Sequence, residues 1–187
     1  MRGTSAVRVK RGRKQGGFTL IDMLFVIAII GLLSTLAIPG LMRARTAAQS
    51  SSALGTMRIV NSAQLSYAIT CGLGFYAPDF TTLTIKPATA PDAFLPPELA
   101  TGPTFIKSGY NFSMAGTPLP GAPASCNGLP AGAAAPGYAV VADQLDAVPS
   151  KGRFFGSNAD GVIYEHKDSL ALTMPESWAP PQGAPLK

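Results

Sequence analysis

The sequence predicts an α+β protein in which one long N-terminal helix packs against a small antiparallel sheet with proline-rich loops. Three observations predict it. Residues 18 to 42 are almost wholly apolar, with Asp22 as their single charge. Residues 43 to 70 contain no proline and place Leu54, Met57, Asn61, Leu65 and Ala68 at three- and four-residue spacings, an amphipathic helical pattern. Beyond residue 108, short alternating segments bounded by glycine and turn dipeptides read as strands. At 187 residues the chain has room for this helix and one modest globular domain.

Residues 1 to 17 form a basic leader. They carry Arg2, Arg8, Lys10, Arg11, Arg13 and Lys14 and no acid. The formal net charge is +5, yet beyond the leader nine Lys and Arg face ten Asp and Glu. A basic cluster just before an apolar helix is held on the cytoplasmic side of a membrane. The same charges would serve an arm for DNA or acidic lipid, but no second basic patch supports nucleic acid as a partner.

The apolar run, GGFTLIDMLFVIAIIGLLSTLAIPGLM, is long enough to span a bilayer, since about 20 residues at 1.5 Å each cross the roughly 30 Å hydrocarbon core. Its layout is unlike an ordinary secretory signal, which is cut beyond its apolar region at a small-residue site. Here the glycines, Gly16 and Gly17, precede the run. A cut after Gly17 would remove the charges and keep the helix.

This stretch resembles the N-terminal motif of type IV prepilins and of the pseudopilins of type II secretion systems. The resemblance covers about 25 residues and implies a pilin-like fold. It implies cleavage by a prepilin peptidase between Gly17 and Phe18, with N-methylation of Phe18. Thr19, Leu20 and Ile21 match the family's usual start, and Gly31 and Pro39 stand where it commonly has helix-softening residues. The family usually has Glu where this chain has Asp22. An acid within an apolar helix is costly and is retained mostly with a partner. The resemblance makes that partner the Phe18 amine of a neighbouring subunit. Asp22 also lies four residues from Phe18, so its own amine is within reach, and snorkelling to water is the plain alternative.

Residues 18 to 42 are thus expected as the transmembrane and filament-core half of the helix and residues 43 to 70 as its amphipathic half. Together they make about 50 residues, with a bend or local unwinding at Gly31, Pro39 and Gly40. The helix is expected to stop near Cys71 and Gly72, and residues 71 to 187 to form a globular head. Residues 75 to 83 read as a loop with buried aromatics, distantly similar to a junction in major pseudopilins. Residues 86 to 103 and 115 to 137 are too proline-rich for regular helix or central strand. Strands are expected at 109 to 114, 137 to 142, 152 to 156 and 161 to 166, giving a sheet of three or four, with Asp160-Gly161 as a turn. The tail from Pro175, around Trp178, reads as irregular.

Cys71 and Cys126 are the only cysteines. On the extracytoplasmic side an isolated pair reads as a disulfide, with two unpaired small hydrophobes as the alternative. Enzymatic chemistry is not expected. His166 is the single histidine, no phosphate-binding or dinucleotide glycine motif occurs, and no His/Cys cluster has zinc spacing. No cofactor is expected. The resemblance raises calcium, for which Asp143, Asp146, Asp160 and Asp168 are available without the ligand spacing of an EF-hand.

Three functions remain open: a structural subunit of a type IV pilus-like filament, a pseudopilin of a periplasmic pseudopilus serving secretion, and a single-span anchored binding protein. The first two imply as partners the prepilin peptidase, copies of the chain and related pilins, an inner-membrane assembly platform, and the membrane before assembly. They imply a single-pass inner-membrane protein with a cytoplasmic N-terminus and periplasmic head, later found in pilus or pseudopilus.

Overall fold

A computed structural model describes residues 17–88, 90–100, 102–146 and 152–186. The basic cluster of the leader lies outside the described residues. The chain divides into two compact units, one ending at Ala44 and the other beginning at Arg45.

Helix α1 runs Leu20–Thr70 and is continuous through Gly31, Pro39 and Gly40, so the helix does not unwind locally there. The head follows, with a short helix α2 (Phe80–Thr84). Among the described residues six strands then succeed one another: β1 (Thr104–Lys107), β2 (Tyr110–Ala115), β3 (Ala139–Gln144), β4 (Phe154–Asn158), β5 (Ile163–His166) and β6 (Ala184–Pro185). Each is antiparallel to its predecessor, so the sheet order is β1-β2-β3-β4-β5-β6. The architecture is α+β, as expected, but six strands replace the expected three or four. β1 and β6 are the additional edges, and β1 begins directly after the first proline-rich segment.

Each of the four expected strands starts one or two residues later than its alternating pattern suggested. The reason is common to all of them: each pattern begins with a glycine, Gly109, Gly137, Gly152 or Gly161, that precedes its strand. Gly109 and Gly161 have φ of 78° and 75° and belong to turns. Ser108 (φ 51°) and Gly109 form the two-residue turn between the paired Lys107 and Tyr110, the left-handed geometry that suits a hairpin. At the other hairpin Gly161 N donates to Asn158 O at 2.9 Å.

The face of α1 that packs on the head is also rotated from the expected one. Ser50, Ala53, Thr56, Met57, Val60, Ala63, Gln64, Tyr67 and Ala68 are buried, whereas Leu65 is 55% exposed. Gln64 stands within the buried stripe because its amide is satisfied. Its Nε2 donates to Ala77 O at 2.9 Å, and its Oε1 accepts from Ala77 N at 3.0 Å. A polar residue in the seam hides the helical period from a count of apolar residues.

The core lies between this face and the inner side of the sheet, where Tyr110, Phe112, Met114, Val140 and Phe155 meet Met57, Val60 and Tyr67. Phe105 stacks on Phe112 at 4.8 Å and meets Phe80 edge-on at 4.9 Å. β3 is buried on both sides, since Val141 joins Tyr164, Leu170 and Met174 in a second cluster on the outer face.

Residues 75 to 83, expected as loop, end in α2. Asp79 caps it, accepting from Thr82 N at 2.8 Å. Burial pushes the Asp79 carboxyl up, but hydrogen bonds from Thr81 and Thr82 outweigh this and hold it below the ordinary value. Cys71 and Cys126 form a disulfide spanning 55 residues, with Cα atoms 4.9 Å apart. Asn127, beside it, donates to the Thr82 and Ile85 carbonyls at 2.7 and 3.3 Å. The second proline-rich loop is therefore fastened to the end of α1 covalently and to the end of α2 by hydrogen bonds. At the same corner Gly72 is required by space, since a Cβ there would lie 2.2 Å from Phe75 O.

Candidate functional site

The candidate site is the first half of α1. A soluble domain buries one stripe of a helix, but here almost every side chain from 18 to 48 is exposed, Phe18 and Leu20 at 83% and Leu36 at 77%. By length and composition this helix is apolar enough to cross a membrane. Its polar residues are consistent with apolar surroundings. Ser34 Oγ donates to Ile30 O and Thr35 Oγ1 to Leu32 O, each at 2.7 Å, so both hydroxyls are satisfied within the helix.

The start of α1 is built by a reciprocal cap. Thr19 N and Thr19 Oγ1 donate to Asp22 Oδ2 at 3.0 and 2.6 Å, and Asp22 N donates to Thr19 Oγ1 at 3.3 Å. This is a capping box, in which the residue three positions into the helix reaches back to the cap. In the sequence Thr19 stands out as part of the family-like start. The Thr-x-x-Asp spacing ahead of an apolar run carried the capping signal as well. Gly17 and Phe18 are non-helical and exposed, immediately before the cap.

Residues 12–38 match the model of the prokaryotic N-terminal methylation motif. The chain carries the signature of type IV prepilins and pseudopilins. No curated protein and no solved structure matches the chain. The match supports a processed subunit of the pilin or pseudopilin kind. Together with the apolar helix, it suggests membrane anchoring.

The structure disperses the residues considered for calcium. Asp143 is on β3 and Asp146 just beyond it, Asp160 is in the β4–β5 turn and Asp168 follows β5. Among the described residues no three His, Cys, Asp or Glu side chains gather around a metal-sized space. Asp160 Oδ2 instead accepts from Trp178 N at 3.0 Å. His166 closes a local turn, its Nδ1 accepting from Asp168 N at 3.2 Å.

A polar chain that the sequence did not disclose joins α1 to the sheet. Tyr138 Oη donates to Asn61 Oδ1 at 3.1 Å, Asn61 Nδ2 to Ser157 Oγ at 2.8 Å, and Ser157 Oγ to Val162 O at 2.9 Å. Burial, and secondarily the neighbouring Tyr76, push the Tyr138 phenol well above its ordinary range.

Proposed function

We propose that this chain is a structural subunit of a type IV pilus-like filament. The observation that carries the reading is an apolar helix whose side chains are exposed among the described residues, joined to a prepilin motif at its start. A plain membrane anchor would need neither the glycines before the span nor the acid inside it.

In this reading the leader stays cytoplasmic and the head is extracytoplasmic, as the basic cluster favours. The peptidase cuts between Gly17 and Phe18 and Phe18 is N-methylated. The new α-amine is then the partner for the Asp22 carboxylate of a neighbouring copy, setting the register of helices in the filament. Gly31 and Pro39 are the positions where α1 bends as it packs against its copies.

N-terminal mass spectrometry of the protein purified from membranes and from sheared fibres tests this. A chain beginning at methylated Phe18 is expected in both, and a leader retained in fibres would overturn it. Fibres on the cell surface that contain the chain assign it to a pilus. Mature chain confined to periplasmic fibres assigns it to a pseudopilus.

A further inference from the structure

Trp178 is the single tryptophan of the chain. Its φ is 75°, a conformation in which a bulky residue is an outlier and which points to a local role. The backbone is held there from both sides. Trp178 N donates to Asp160 Oδ2 at 3.0 Å, and Trp178 O accepts from Asn158 Nδ2 at 2.6 Å. Asn158 is completely buried, yet the indole is 77% exposed. The head commits a buried amide and a carboxylate to fixing a residue whose side chain adds nothing to its core.

An indole face with a carboxylate close by attracts a planar cation. Helix α1 carries three. Residues 23 to 78 contain Arg43, Arg45 and Arg58 and no acid. Arg58 is exposed on the head half of α1, and among the described residues no acidic side chain pairs with it. Open hollows of about 580 and 340 Å³ are both lined by Arg58 and Ser62 and give a neighbour room to approach. Among the described residues the cation over an aromatic ring is Arg153, on Phe155. Among the described residues Trp178 and Arg58 therefore both lack this kind of partner.

We propose that Trp178 is the receiving surface for Arg58 of a second copy, a head-to-head contact separate from the packing of the apolar helices. The proposal rests on the filament reading above. Because Trp178 is the single tryptophan, its emission reports the site directly, in full mature protein. Acrylamide quenching is compared among detergent monomers, protein in anionic vesicles and sheared filaments. Quenching should fall in filaments alone. Arg58→Gln should restore it and lower filament yield about two- to fivefold, the effect of one exposed cation–π contact, while Arg45→Gln leaves quenching low. Trp178→Phe, which keeps an aromatic face, should retain more filament than Trp178→Ala. Equal quenching in filaments and monomers, or protection that survives Arg58→Gln, overturns the pairing while leaving the filament reading intact. Protection already present in vesicles assigns the indole to lipid and also overturns it. Failure of the wild-type chain to form filaments removes the filament reading and this contact together.

Discussion

Thr19 and Asp22 satisfy one another across the first turn of α1: the threonine amide and hydroxyl donate to one carboxylate oxygen, and the threonine oxygen accepts from the aspartate amide. Among the described residues the second oxygen of Asp22 accepts no hydrogen bond. The carboxylate can therefore hold the helix start and still meet a cationic amine. Asp suffices for the cap where a longer acid would also serve.

Replacing Asp22 by Ala should leave membrane insertion intact, because the apolar run is untouched, and reduce the chain recovered in sheared filaments. Asp22→Glu should retain assembly, because it restores both the cap and the charge. Membrane fractionation and quantification of sheared fibres check the pair. Unchanged filament yield in Asp22→Ala would remove the charge from the account of assembly.

Gln64→Leu matches the burial of its surroundings but strands the N–H and C=O of Ala77. An unsatisfied buried group costs about 1–3 kcal/mol. The head should melt several degrees lower, at roughly 2–4 °C per kcal/mol, and thermal denaturation followed by circular dichroism in detergent measures it. A melting point equal to that of the parent chain would mean that Ala77 finds other partners.

Reduction of the Cys71–Cys126 bond releases a loop of 55 residues. In the chain-entropy model this is worth about 4 kcal/mol as an upper value. Alkylation of the unfolded protein should occur at both cysteines only after a reductant, and the reduced head should melt well below the oxidised one.

Alkali provides a separate test. Tyr138 remains protonated in the folded head at pH values where the unfolded chain ionises it, since burial raises its pKa from the ordinary 10.0. Its contribution to stability is intact below about pH 10 and is lost as pH rises above that value. Tyr138→Phe removes the ionisation and should move the onset of alkaline unfolding upward. It also removes a hydrogen bond to Asn61, so its stability near pH 7 should fall slightly. A pH scan of the unfolding midpoint separates the two effects.

The parts of the molecule visible in the sequence were those governed by a single local rule. Sustained apolarity marked residues 18 to 42, and the glycine placement before them marked the processing motif. Turn chemistry located four strands, each misplaced at its start because glycines that bound a strand were counted into it. What escaped depended on distant partners. Gln64 disguised the buried face of α1 because Ala77, 13 residues away, satisfies it. β6 pairs with β5 through only two residues, too few to generate a pattern. α2 is five residues long, and the Asp79 cap was its one legible sign. The clamp on Trp178 required knowing that the tail returns to the β4–β5 turn.

The uncovered apolar half of α1 has a thermodynamic consequence for assembly. Lipid tails are as apolar as leucine, so a helix passing from bilayer to a bundle of its copies exchanges one oil for another, and little hydrophobic free energy is released. Closer van der Waals contact and the settling of one buried charge are what distinguish the destination from the source. Both act only once the helix has arrived. Lifting it out is uphill at first, so filament growth in this reading is a driven process, with the work supplied by the machinery at the base of the fibre.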